Sequence, residues 1–193
     1  MNYTNGFLKL KNLKIFGAEV FVHWNVLLYG LIGLSGWATG PIQAATCILL
    51  LLLLILLHEA GHAAVAKKLG YQPINISLKD IHGYCVYEYI LNSEFEKDEA
   101  KIAWGGVLAQ LTVAVPLIIM ANTTSIFKDK FMSPVVGVLG YYSVLMVIFN
   151  LLPIKSLDGN KAWKLFPIIL AERKYNKIKK RRPESNAKIN RIK

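Results

Sequence analysis

The sequence has little cysteine, and this shortage narrows the kinds of site it can build. Cys47 and Cys85 are its two cysteines, and neither belongs to a pair with metal-ligand spacing. A disulfide framework and a cysteine-ligated metal site are therefore not indicated. The 193 residues also contain no internal repeat and no low-complexity linker, so we expect a single domain followed by a tail.

Acidic side chains are scarce as well. Lysine and arginine outnumber aspartate and glutamate by 23 to 12, which gives a net charge of +11. From Arg173 onward the chain has ten basic residues and one acid, Glu184, and it has no aromatic residue beyond Tyr175 on which bases could stack. We interpret this charge as attraction to anionic lipid headgroups and predict no nucleic-acid partner.

Charged residues are almost absent from four long apolar segments, and this pattern predicts a membrane protein. The segments cover residues 20–38, 42–66, 102–121 and 135–154. At about 1.5 Å per residue, each is long enough to cross a hydrocarbon core about 30 Å thick.

A short stretch between the second and third segments has the pattern of strands. Ile74, Ile76 and Leu78 alternate with polar residues, a turn is expected near His82-Gly83, and residues 84–90 form a second β-rich run. An open sheet edge cannot face lipid, so this hairpin should lie at the membrane boundary. The fold class predicted is an all-α polytopic membrane protein with about four transmembrane helices and a small β-hairpin at the cytoplasmic boundary.

The distribution of basic residues predicts the orientation of the chain. Four spans place both termini on one side, and the first connection, residues 36–41, has no basic residue, whereas the tail is rich in them. By the positive-inside rule both termini are cytoplasmic in a multi-pass protein of the cell membrane. No cleaved signal peptide is expected. Residues 1–171 are predicted to form one membrane-embedded domain, and residues 172–193 a basic, partly disordered cytoplasmic tail.

The motif His58-Glu59-Ala60-Gly61-His62 stands at the end of the second apolar segment. An ionisable side chain near the bilayer centre costs roughly 2.5 to 3.5 kcal/mol, so its presence needs a chemical reason. On a helix, His58 and His62 are one turn apart and project from the same face, where two imidazoles can bind one zinc ion. Glu59 lies beside that face, in a position to accept a proton from a water that the metal activates.

A hydrolytic zinc site needs a third protein ligand. Asp158, in the run from Asn150 through Pro153 to Gly159, is the candidate at a similar membrane depth, because the second and fourth segments run in the same direction. A turn carboxylate that caps the following segment is the other interpretation of Asp158.

These two motifs together resemble the site-2 protease family of intramembrane zinc metalloproteases, over about residues 14–161. Within the family, the chain is most similar to the compact group around stage IV sporulation protein FB. The resemblance implies that His58, His62 and Asp158 are zinc ligands, that Glu59 is the general base and that Asn150 lies near the site.

Some features depart from the family pattern or remain open. The family commonly has Gly-Pro and an Asn in its third helix, where this chain has residues 105–110, Gly-Gly-Val-Leu-Ala-Gln. His23 and His82 lack the spacing of a ligand pair and are expected to be structural. Asn150 can position the substrate or donate a hydrogen bond between helices.

The function predicted is an intramembrane zinc metalloendopeptidase, with one zinc per chain, that cuts membrane-anchored regulatory proteins in or near their transmembrane segments. Its active site should face the cytoplasmic side, and its expected partners are that substrate and the lipid bilayer. The alternative is an inactive scaffold that keeps the zinc site and binds such proteins without cutting them; the intact Glu59 argues against it. A metal transporter fits less well, because the ionisable residues lie at one membrane face. The sequence identifies neither the substrate, nor a regulatory membrane partner, nor the oligomeric state.

Overall fold

The computed structural model of the chain describes residues 6–26, 40–79, 82–88, 93–125 and 132–189, with residues 181–189 described by their backbone alone. In chain order the elements are β1 (Phe7–Ile15), β2 (Ala18–His23), α1 (Pro41–Lys68), β3 (Pro73–Lys79), β4 (His82–Tyr87), α2 (Phe95–Thr123), α3 (Ser133–Asn150), α4 (Gly159–Ala162) and α5 (Leu165–Ile189).

Three helices in this part of the chain are long and apolar enough to cross a membrane, namely α1, α2 and α3. They correspond to the second, third and fourth predicted segments. Helix α2 begins earlier than predicted, at Phe95, because Glu96 and Asp98 occupy its first turn, where acidic side chains are favourable. Helix α3 ends at Asn150, before Pro153, and its middle part, Val136–Tyr142, is a π-helix.

The first predicted span, residues 20–38, begins incorrectly. Val20 and His23 lie in strand β2, not in a helix, and residues 27–39 lie outside the described residues. A total of four transmembrane helices therefore stays a prediction.

Helices α1 and α2 approach each other closely at two glycines. A Cβ atom built on Gly61 would lie 2.4 Å from the carbonyl oxygen of Gly105, and one built on Gly105 would lie 2.6 Å from that of Gly61. No other residue could fit at either position without separating the backbones. This contact brings the motif on α1 against α2.

The sheet is larger than the predicted hairpin. Its described strands lie in the order β1-β2-β3-β4, with β2 and β3 parallel and the other two pairs antiparallel. The hairpin is present as β3 and β4, but Lys79 pairs with His82, so His82 and Gly83 belong to β4 instead of forming the predicted turn. Strands β1 and β2 were not predicted from the sequence, although Leu8 and Leu10 of β1 alternate with Lys9 and Lys11.

The chain after α3 packs back onto α2. The indole N–H of Trp104 donates to the carbonyl of Ala162 at 3.0 Å, and Trp163 stacks on Phe166 at the start of α5. Lys97 then donates to both carboxylate oxygens of Glu172, at 2.6 and 2.8 Å. The tail predicted to be partly disordered is helical as far as Ile189, whereas the division into a domain and a tail stays a prediction.

Candidate metal centre

The two histidines of the motif lie on one face of α1, both buried, with their rings 4.6 Å apart and perpendicular. Their Nε2 atoms face each other at 3.0 Å. The side chains fit only because Gly106 of α2 faces them: a Cβ built there would lie 2.6 Å from Nε2 of His62 and 2.8 Å from Cε1 of His58. The one-turn spacing and a glycine on the neighbouring helix thus create the pair.

The other ring nitrogens are held by α2. The Nδ1–H of His62 donates to the backbone carbonyl of Ile102 at 2.7 Å, and Nδ1 of His58 lies 3.0 Å from Oε1 of Gln110. Because both oxygens accept, each Nδ1 carries the proton and each Nε2 keeps its lone pair.

Asp158 completes the cluster from the segment after α3. Its Oδ2 lies 2.8 Å from Nε2 of His58 and 3.3 Å from Nε2 of His62. The side chain makes no capping hydrogen bond to α4, so the capping interpretation does not hold. Gly159 allows this placement, since a Cβ there would lie 2.3 Å from the carbonyl oxygen of Leu151, where the chain folds back.

This donor set fits one zinc ion. Two imidazole lone pairs and a carboxylate oxygen converge with separations of 2.8, 3.0 and 3.3 Å. Nitrogen and oxygen ligands about 2.1 Å from a tetrahedral zinc would be roughly 3.4 Å apart. Three acceptors that point at one another, two of them buried, repel unless a cation or protons lie between them. Burial opposes ionisation of Asp158, but when the Nε2 atoms of His58 and His62 carry protons, their hydrogen bonds to Asp158 outweigh this and hold the pKa of the carboxyl well below its ordinary value. Asp158 therefore supplies the negative charge that favours a cation.

Glu59 is buried beside the histidines, with a carboxylate oxygen within 4.8 Å of their ring nitrogens. Strand β4 passes directly over it: a Cβ built on Gly83 would lie 2.5 Å from Cγ and 2.7 Å from Oε1 of Glu59. The backbone N–H of Cys85 donates to the Glu59 carboxylate. The carboxylate is thus held next to the donor set by a strand, through contacts separate from those that hold the histidines.

A cavity of about 550 Å³ opens onto the centre and is lined by His58, Glu59, His62 and Asp158. Strand β4 forms much of one wall, through Gly83, Tyr84, Cys85 and Tyr87. Burial, reinforced by the charge of Glu59, raises the pKa of the Cys85 thiol to about 12. Cys85 is therefore a neutral thiol at physiological pH.

The remaining candidates occupy different positions. Asn150, at the end of α3, lines the cavity with its Nδ2 3.5 Å from Nε2 of His58. His82 lines the outer part of the same cavity, in β4. His23 ends β2 and packs its ring against Phe7 with centroids 4.8 Å apart, a structural role.

Sequence reasoning missed three residues that shape the centre. Gln110 was noted as a departure from the family pattern, and no ligand-like signal distinguished it from other polar residues in a span. Ile102 acts through its backbone, which no side-chain pattern can reveal. Gly83 was assigned to a turn, whereas its role is to leave room for Glu59.

Comparison with curated proteins found relatives of this chain. Zinc metalloprotease MJ0392 of Methanocaldococcus jannaschii is 26% identical over 186 residues, which are 96% of this chain and 51% of that protein. Stage IV sporulation protein FB of Bacillus subtilis is 29% identical over 140 residues, 72% of this chain and 45% of that protein. No protein-family model matches the chain.

A solved structure is similar as well. The site-2 protease from Methanocaldococcus jannaschii superposes with a TM-score of 0.61 and 26% identity, covering 86% of this chain and 72% of that chain. The resemblance to site-2 proteases predicted from the two motifs is confirmed in sequence and in fold. The chain spans about half the length of the curated relatives it matches.

Proposed function

We propose that this chain is a membrane zinc metalloprotease that hydrolyses peptide bonds in or near the transmembrane segments of membrane-anchored regulatory proteins. The observation that carries the proposal is the convergence of His58, His62 and Asp158 at 2.8–3.3 Å, with the buried carboxylate of Glu59 alongside. A purely structural ion pair would have no use for that second carboxylate.

His58, His62 and Asp158 would hold the zinc. When bound, zinc supplies a Lewis acid that polarises the scissile carbonyl and lowers the pKa of a water toward about 7. Glu59 accepts the proton that this water loses as its oxygen attacks the carbonyl carbon. The same carboxyl then gives the proton to the nitrogen as the C–N bond breaks, which leaves a free acid and a free amine. The hydrogen bond from the backbone of Cys85 orients Glu59 for both transfers.

The substrate would bind along β4. The N–H of Cys85 points to Glu59, whereas the N–H of Glu88 donates to Gln72 beside β3. Backbone groups alternate between the two edges of a strand, so Gly83 and Tyr87 share the cavity-side edge with Cys85. An unwound substrate segment could pair there as an added strand, replacing the helical hydrogen bonds that it loses.

The orientation with both termini and the active site toward the cytoplasm is part of the proposal. It rests on the basic residues of the tail and on their absence from residues 36–41. Reporters fused after Thr39 and after Lys193 should be found outside the cell and in the cytoplasm, respectively. The opposite result would move the released product to the far side of the membrane.

Co-expression with candidate single-span substrates tests the activity. We expect the wild type to cut, Glu59→Gln to bind one zinc but to lose about 10²–10⁴-fold in cleavage, and His58→Ala to lose both zinc and cleavage. Normal turnover by Glu59→Gln would exclude the mechanism. Binding of a substrate without cleavage by the wild type, with zinc in place, would favour the inactive scaffold.

A further inference from the structure

The contacts that α2 makes with the two histidines differ in kind. Ile102 accepts the Nδ1–H of His62 through a backbone carbonyl, which no substitution removes and which can only accept. His58 depends instead on one side chain, Gln110, whose amide has an accepting oxygen and a donating nitrogen. A backbone carbonyl thus sets the proton on Nδ1 of His62, whereas the position of the ring proton of His58 depends on the orientation of one side-chain amide.

Gln110 has no access to solvent that could replace this contact. It is fully buried, with 0% exposure, and its Nε2 has no hydrogen-bond partner among the described residues. An unpaired buried amide nitrogen costs about 1–3 kcal/mol, so the side chain is not placed there for packing alone. Its oxygen makes the one described side-chain contact to the Nδ1 of His58.

We infer that Gln110 is a positioning residue for the metal centre: it selects the tautomer of His58 that leaves Nε2 free to bind zinc. With the amide in the opposite orientation, the Nε2 of Gln110 would donate to Nδ1 of His58. The ring proton would then move to its Nε2, between His62 and Asp158, and the lone pair for the metal would be lost. Metal binding and the orientation of this amide are therefore linked, so that each stabilises the other.

The consequence is that the accepting atom at residue 110 matters more than the shape of the side chain. Gln110→Met keeps the length and removes the acceptor, and should weaken zinc binding by about 10–100-fold. Gln110→Glu keeps an acceptor and removes the ambiguous donor, so it should bind zinc at least as tightly as the wild type. Thr112→Val is the matched control, because Thr112 is an exposed residue of the same helix whose described side-chain hydrogen bond goes to the carbonyl of Ala109.

The inference rests on the proposed zinc site, and the experiment separates the two. Zinc affinity is measured by chelator competition on the full chain in detergent, and the fold of each variant by circular dichroism and thermal melting. The nitrogen-15 shifts of the histidine rings in the metal-free protein report the tautomer of His58, which a purely structural role of Gln110 would leave unchanged.

The expected result is weak zinc binding and mixed tautomers in Gln110→Met, and wild-type behaviour in Gln110→Glu and Thr112→Val. Wild-type zinc affinity in a folded Gln110→Met would overturn the inference and leave the zinc site intact. Equal weakening in folded Gln110→Met and Gln110→Glu would also overturn it, since the acceptor would then be irrelevant. If Gln110→Met does not fold, the comparison of Gln110→Glu with the wild type decides, because tautomer selection requires at least equal affinity. Absence of zinc from the wild type would instead contradict the proposed function.

Discussion

Helix α2 and strand β4 cover the metal centre from two directions, and they hold different groups. Helix α2 binds the outer nitrogens of both histidines, through Ile102 and Gln110, and receives their rings against Gly106. Strand β4 contacts Glu59, and as the last strand of the described sheet it pairs with no other described strand along its cavity-side edge. Helix α2 therefore positions the two histidines proposed as zinc ligands. Strand β4 positions Glu59, the proposed proton carrier, next to the cavity where a substrate could bind.

This separation explains how one turn of α1 can supply both the proposed metal ligands and the proposed proton carrier. His58 and Glu59 are adjacent in sequence, but successive side chains on a helix point about 100° apart. Each therefore meets a different neighbour. Because the two neighbours belong to separate elements, damage to one should leave the function of the other largely intact.

The largest loss of zinc affinity and cleavage is expected from a substitution in α2 next to the histidines. In Gly106→Ala the added methyl would lie 2.6 Å from Nε2 of His62, so the rings must move. Zinc affinity should fall by about 10–100-fold or more, and cleavage should be lost with it. Zinc content and cleavage of a co-expressed substrate are the measurements, and Leu108→Ala, an exposed position on the same helix, is the control. Full zinc content would mean that α2 does not shape the ligand pair.

A smaller effect, on cleavage but not on zinc affinity, is expected from a substitution in β4 next to Glu59. In Gly83→Ala the methyl would press on Cγ of Glu59, 2.5 Å away. A displacement of about 1 Å in a catalytic group can cost roughly 100-fold in rate, so cleavage should fall by about 10–100-fold while zinc affinity stays at the wild-type value. Val86→Thr, which keeps the shape of a side chain in the same strand, should cut normally. Parallel loss of zinc and cleavage in Gly83→Ala would contradict the separation of the two surfaces.

The smallest effect is expected at the end of α3, between the two surfaces. The 3.5 Å distance from Asn150 to His58 is too long for a strong hydrogen bond, so Asn150→Ala should change zinc affinity by less than about threefold. If Asn150 positions the substrate, KM should rise by about tenfold for the same zinc content. Unchanged KM and kcat, together with a lower melting temperature, would favour a helix-to-helix hydrogen bond instead.

Much of the site could be predicted because its residues carry chemical signals. His58, Glu59 and His62 are ionisable residues at one-turn spacing in an apolar segment, and Asp158 follows another segment of the same direction. The first predicted span failed at its start for the opposite reason: the apolar residues from Val20 onward suit a buried strand as well as a helix, and only pairing with β3 decides between them.

The sequence by itself determined the chemistry proposed for this protein, namely the candidate donor atoms and their order along the chain, because these follow from side-chain type and helical spacing. The tertiary structure decided which nitrogen of each histidine faces the metal and what holds Glu59. Those outcomes depend on Gln110, on the carbonyl of Ile102 and on the N–H of Cys85. Backbone groups are the same at almost every residue, so only packing, here the close approach of Gly61 to Gly105 and of β4 to Glu59, selects which of them act.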